Sequence, residues 1–104
     1  MRQYVRETIV RITQSAELVS ADGERTLHGD TAVDDITITL PVFAADEGPI
    51  EIRKVSASNT LSVALNGSTC NGHAGPVQWT GNGSAALLIP GTTEWKLLER
   101  IVIE

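Results

Sequence analysis

Between Asn66 and Gly91 the chain is interrupted repeatedly by residues that turn a backbone: Asn66-Gly67, Asn71-Gly72, Gly75-Pro76, Gly81-Asn82-Gly83 and Pro90-Gly91. Glycine and asparagine tolerate positive φ, and proline lacks an amide donor, so each cluster ends whatever regular structure precedes it. The pieces left between them are shorter than the roughly ten residues a stable helix needs. This region is therefore restricted to short strands, for which Val77-Gln-Trp79 and Ala85-Ala-Leu-Leu-Ile89 are the candidates.

Upstream, the pattern is alternation. In Asp35-Ile-Thr-Ile-Thr-Leu-Pro-Val42 the aliphatic residues Ile36, Ile38, Leu40 and Val42 fall on one face and the threonines on the other. Pro41 cannot donate to a ladder, so this strand ends there or lies at an edge. Pro49-Ile-Glu-Ile-Arg-Lys-Val55 places Ile50 and Ile52 opposite Glu51 and Arg53, with the pattern slipping at Lys54-Val55. Ser56 to Asn59 is a short polar turn, Leu61-Ser-Val-Ala-Leu65 alternates again, and the two strands read as a hairpin. In the last segment Trp95, Leu97, Ile101 and Ile103 share a strand face interrupted by Glu99; a helix of about two turns is the alternative, but nothing caps it and the isoleucines and valine favour strand. Arg25-Thr-Leu-His28 is a short strand between the turn Ala21 to Glu24 and Gly29-Asp30. Nearer the N-terminus two readings stand: Val5, Ile9, Ile12 and Ala16 sit at helical spacing, while Ile9-Val-Arg-Ile-Thr13 fits a strand. No repeat of about 20–50 residues is visible.

Composition supports a β-fold and limits its size. Valine, isoleucine and threonine make up 29 of the 104 residues, and β-branched side chains favour the pleated strand. Tyr4, Phe43, Trp79 and Trp95 are the only aromatic residues, so the core is aliphatic. The chain amounts to one domain. The expected architecture is all-β, a single small antiparallel sandwich or barrel-like domain over residues 9–104, preceded by an N-terminal arm over residues 1–8.

The same arithmetic narrows the function. Thirteen acids against eight bases give a net charge of −5, which is no match for a phosphate backbone, so nucleic acid is not an expected partner. No apolar run approaches the ~20 residues of a membrane span, and the charged start MRQYVRETIV is unlike a secretory signal. A single cysteine allows no internal disulfide. Cys70 and His73 have zinc-ligand spacing, but a structural site takes four ligands and His28 is the only further soft one. Neither histidine stands with Cys70 in a recognisable nucleophile motif. The carboxylate pairs Asp34-Asp35 and Asp46-Glu47 are adjacent in sequence, which on a strand sends them to opposite faces. The loop Thr80 to Ser84 lacks the lysine and helix of a phosphate-binding loop. No catalytic residue, cofactor or metal ligand is expected. Trp79 and Trp95 are candidate core or interface anchors, with sugar stacking as the competing role.

Several motifs, taken in order, carry a resemblance. They are Asp30-Thr31, Ile36-Thr-Ile-Thr-Leu-Pro41, Ile50-Glu-Ile-Arg-Lys54, Ser58-Asn-Thr-Leu-Ser-Val63, Asn66-Gly-Ser68, Asn71-Gly72, Ala86-Leu-Leu-Ile89 and Gly91-Thr-Thr-Glu-Trp95. Across roughly residues 10–101 this series resembles a β-domain of tailed-bacteriophage virion proteins, found in capsid decoration, head-fibre and tail-fibre proteins. The chain departs from that pattern at Ser56, where the family often has Asp, at Pro90, and by one extra residue between Gly91 and Trp95.

The resemblance implies a homotrimeric, non-enzymatic structural module of the virion, assembled in the host cytoplasm and needing no cofactor. A small core leaves little surplus over chain entropy, which also favours association. Because the β-domain occupies nearly the whole chain and leaves no shaft, the expected role is a capsid decoration (cement) protein. Its partners would be itself and the major capsid protein or another virion protein, with no membrane involved. A tail-fibre or tail-tip module contacting the host is the alternative within the class, and a soluble glycan-binding module the alternative outside it. The candidate interface residues are Arg2, Tyr4 and Arg6 on the arm, and Trp79 and Trp95 on the domain.

Overall fold

A computed structural model describes residues 9–20, 23–83 and 85–100. Nine strands form two sheets: β1 (Ile9–Ile12), β2 (Ala16–Glu17), β3 (Arg25–Gly29), β4 (Ile36–Thr39), β5 (Ile50–Lys54), β6 (Leu61–Ala64), β7 (Val77–Trp79), β8 (Ala85–Pro90) and β9 (Trp95–Arg100). One sheet has the order β1-β3-β5-β8-β9 and the other β2-β4-β6-β7. No helix occurs among the described residues.

The strands at 25–28, 36–39, 77–79, 85–89 and from Trp95 onward lie where alternation and turn chemistry place them. The segment with two readings is a strand at Ile9–Ile12. The pairing differs from expectation. From β1 to β6 the chain alternates between the sheets, and each strand lies parallel to the one two places earlier: β1 with β3, β3 with β5, β2 with β4, and β4 with β6. These segments are stacked coils, and the second and third are offset by 25 residues, with Arg25 opposite Ile50 and Ile36 opposite Leu61. Antiparallel pairing enters only with β7, β8 and β9, which pair with β6, β5 and β8 respectively.

Three expectations are thereby corrected. The domain is a two-layer arrangement of mixed sheets rather than an antiparallel sandwich, and neither sheet closes into a barrel. The segments 50–54 and 61–64 form no hairpin, because they belong to different sheets. The stacked coils are a structural repeat, with a 25-residue offset between the second and third, where the sequence shows none to the eye. The physical reason is common to all three: alternation fixes which face is buried but is the same for parallel and antiparallel neighbours. A polar linker of a few residues can reverse a chain within one sheet or carry it across to the other.

The core lies between the layers. Ile36 faces Leu61 and Ile38 faces Val63 across the β4–β6 ladder, while Leu27, Ile52 and Ala86 line up across β3, β5 and β8. All these side chains are buried, and each large aliphatic contributes about 1.5–3 kcal/mol by leaving water. Gly29 ends β3 beneath this layer. A Cβ there would stand 2.8 Å from Cδ1 of Leu61 on the opposite sheet, so the missing side chain is what allows the layers to approach. Asn66-Gly67 and Asn71-Gly72 both have consecutive positive φ angles (52° and 83°; 50° and 86°), the conformation their sequence favours.

Candidate interaction surfaces

The polar motifs converge at the corner where β3 and β5 leave the five-stranded sheet. Lys54 occupies the inward position after Ile50 and Ile52 and has no exposed surface. The apparent slip at Lys54-Val55 is thus a continuation of the alternation, with a lysine in a core position. Its Nζ donates to the carbonyl oxygens of Ser56 and of Ser58, the latter at 3.0 Å. Thr31, also fully buried, donates from Oγ1 to the same Ser58 oxygen at 2.6 Å. Asn59, with φ of 62°, donates from Nδ2 to the Thr31 carbonyl at 2.7 Å. Asp35 Oδ1 accepts from the Thr60 amide at 2.8 Å. Thr31, Asp35, Lys54 and Ser58-Asn59-Thr60 are therefore one assembly tying the second coil to the third. Burial pushes the Lys54 ammonium below its ordinary pKa.

A second polar cluster stands at the start of β9. Glu94 accepts from Thr69 Oγ1 at 2.7 Å, from the Gly72 amide at 2.8 Å and from Lys96 Nζ at 3.0 Å. The Thr69 hydroxyl, the Gly72 amide and then Lys96 hold its pKa down at about 2. Beside it, Asn71 donates from Nδ2 to the Leu97 carbonyl at 3.3 Å and accepts the Leu97 amide at 3.2 Å. The side chain thus occupies part of the β9 edge, where a free strand would otherwise offer itself for pairing.

The tryptophans have different fates. Trp95 is fully buried and meets Phe43 edge to face, with ring centroids 5.7 Å apart at 83°, so it is a core anchor and offers no stacking surface to a sugar. Trp79 is half-buried at the end of β7, opposite Leu61. Arg2, Tyr4 and Arg6, with the arm at 1–8, lie outside the described residues. The interface candidates are therefore not brought together by anything described.

The reactive side chains are also separated. Cys70 and His73 form a tight hairpin around Asn71-Gly72 through backbone bonds of 2.8 and 2.9 Å. The cysteine is buried and the histidine exposed, and burial pushes the Cys70 thiol up, away from the reactive thiolate. Among the described residues no group of three or more His, Cys, Asp or Glu could hold a metal ion. An open cleft of about 290 Å³ lies between Phe43, Asn66, Ser68, Thr69 and Thr93. The Asn66 amide that borders it already donates to Leu40 O at 3.0 Å, and Thr69 Oγ1 is held by Glu94.

The broadest surfaces are the outer sheet faces. On the four-stranded sheet, register aligns Thr37, Ser62 and Gln78, a neutral polar row. On the five-stranded sheet it aligns Arg11, His28 and Arg53 across β1, β3 and β5. These basic residues are scattered in sequence, and only the parallel register brings them together, so alternation alone gave no sign of the row. No protein-family model matches the chain, and no curated protein matches it.

Proposed function

We propose that the chain is a non-enzymatic structural module of a tailed-phage virion, acting as a homotrimeric capsid decoration protein on the head surface. The observation that carries this reading is the corner assembly of Thr31, Lys54, Ser58 and Asn59. These residues belong to the motifs on which the resemblance to the virion β-domain rests. Their polar groups bond one coil to the next, so the motif series has a coherent architectural role in this chain. The described chemistry supports a part that works by shape and surface: Cys70 is a buried thiol and Glu94 a carboxylate engaged by its neighbours.

Copy number and position on the particle test the proposal. Labelled protein is expected in hundreds of copies spread over the head. A few copies at the tail or at one vertex would replace decoration by the fibre or tail-tip role, and absence from particles would end the virion reading. The glycan-binding alternative now depends on Trp79, since Trp95 is enclosed. It requires sugar affinity that Trp79→Ala removes without unfolding the domain.

A further inference from the structure

The charges of this acidic chain are unevenly placed. Among the described residues, Lys54 and Arg25 point into the interior, Arg25 donating to Val19 O at 2.7 Å and standing 3.8 Å from Glu47. The remaining cations with described side chains, Arg11, Arg53 and Lys96, all sit on the outer face of the five-stranded sheet. Arg11, His28 and Arg53 are consecutive across three neighbouring strands, so the row spans about 10 Å at the usual strand spacing. Arg11 already binds one carboxylate, that of Asp30. Neither His28 nor Arg53 has a described partner. The adjoining row, Ile9, Thr26, Glu51, Leu87 and Leu98, carries one acid, Glu51, and ends in exposed apolar groups, Ile9 at 56% and Leu98 at 54% exposure.

The complementary surface is on the same molecule. The exposed acids Glu17, Glu24, Asp34, Asp35 and Asp46 lie outside the strands of that sheet. In the connection from β3 to β4, Val33 is 84% exposed, the most exposed large hydrophobic residue described, and Asp34 and Asp35 follow it. Asp34 has no described partner, and Asp35 uses one oxygen on Thr60. The connection thus presents an apolar side chain beside two carboxylates, and the sheet face presents apolar side chains beside a basic row.

We propose that the outer face of the five-stranded sheet, through Arg11, His28 and Arg53, receives the Val33-Asp34-Asp35 tip of a second copy of this chain. The contact is heterologous, because face and tip are different surfaces, and such a contact repeated around a rotation axis closes a ring. Complementary charge fixes the orientation, and Val33 against the apolar row adds burial. The inference rests on the reading of the chain as a self-associating module and specifies which surfaces meet.

The test is a charge exchange on the full chain, with assembly followed by native mass spectrometry and analytical ultracentrifugation, and folding by circular dichroism. Arg53→Glu and Asp34→Lys should each weaken the trimer about tenfold or more, by placing like charges together. The double variant should regain most of that loss. Wild-type assembly should weaken as salt is raised. If both single variants assemble like wild type, other surfaces hold the trimer, and this contact is wrong while the virion role stands. If Arg53→Glu leaves the trimer intact but lowers capsid binding, the face serves the shell, which also overturns the contact. If the double variant is no better than the weaker single one, the two surfaces are not partners. A wild-type chain that stays monomeric at all concentrations removes both this contact and the trimer, while copy number on particles reports separately on virion location. Should Arg53→Glu fail to fold, Arg53→Gln carries the same test, with a smaller expected weakening.

Discussion

Two polar clusters brace this domain at opposite ends of the five-stranded sheet, and they do so with opposite charges. At the end of β5 the buried Lys54 ammonium is surrounded by carbonyl oxygens. At the start of β9 the Glu94 carboxylate is surrounded by donors, one hydroxyl, one amide and one ammonium. Both pKa values are lowered, yet for contrary reasons. Burial disfavours the charged lysine, whereas hydrogen bonds favour the charged glutamate. The first cluster holds a charge that the fold tolerates because the side chain ties down the β5–β6 turn, whose Ser58 carbonyl and Asn59 amide bond to the second coil. The second holds a charge that the fold prefers. A lowered pKa is therefore no measure of what a group contributes to stability; its cause is.

The largest test of this contrast is Lys54→Ala. It removes a fully buried aliphatic stem and leaves the Ser56 and Ser58 carbonyls without their lysine donor. A loss of about 3 kcal/mol is expected from the cavity and the unpaired acceptors together, measured by chemical denaturation. Lys54→Met separates the contributions, since it fills the space and discards the charge along with its desolvation penalty. Its loss should be smaller, on the order of 1 kcal/mol. If Lys54→Met were as damaging as Lys54→Ala, the hydrogen bonds rather than the packing would hold the corner.

Gly29 tests the other half of that corner, because it lies opposite Lys54 in the ladder and beneath Leu61. Gly29→Ala forces Leu61 aside in a filled core, and a loss of about 2 kcal/mol is expected from overpacking. Asn59→Ala ranks next. It loses the bond to the Thr31 carbonyl and places alanine at a φ of 62°, for about 1–2 kcal/mol. Asn59→Gly relieves the backbone strain and keeps only the cost of the lost bond. A smaller loss for glycine than for alanine in the same melts would show that backbone conformation matters at this turn.

These residues also show how far the fold was legible. Alternation located most strands, including Ile36–Thr39 and Leu61–Ala64, because burial imposes the same period whatever the neighbour. It gave no direction to the pairing. A trace of the coil was present: Ile36, Ile38 and Leu40 recur 25 positions on as Leu61, Val63 and Leu65, and the structure stacks the first two of each set in register. That spacing is inconspicuous when the identities change and the intervening turns differ. The break at Lys54-Val55 coincides with the end of β5, but the burial of Lys54 is not legible in the pattern, because only the corner carbonyls make a lysine tenable in that position. Arg11, His28 and Arg53 were invisible as a group for a related reason: they become neighbours through parallel register, which no local pattern encodes.

The smallest effect expected is the most specific to the contrast. Glu94 has a folded pKa of about 2 against an ordinary 4.5, so between those values the unfolded chain binds the proton and the folded one does not. Its stabilisation is present above pH 4.5 and fades as the pH falls towards 2. Lys54 also makes stability rise with pH, but in the alkaline range. There the unfolded lysine holds its proton up to its ordinary 10.5 while the buried one has begun to release it. Glu94→Gln should therefore lower stability above pH 4.5, where the charged carboxylate is held by its donors, change it little near pH 2, and so flatten the acid limb while leaving the alkaline slope in place. Lys54→Met should do the reverse, flattening the alkaline limb and leaving the acid limb in place. Melting curves of the two variants across pH distinguish the clusters directly. An acid limb unchanged by Glu94→Gln would mean that the carboxylate makes the same contacts in the unfolded chain, or that other acids dominate, and the pairing of charge with donors at the start of β9 would lose its energetic meaning.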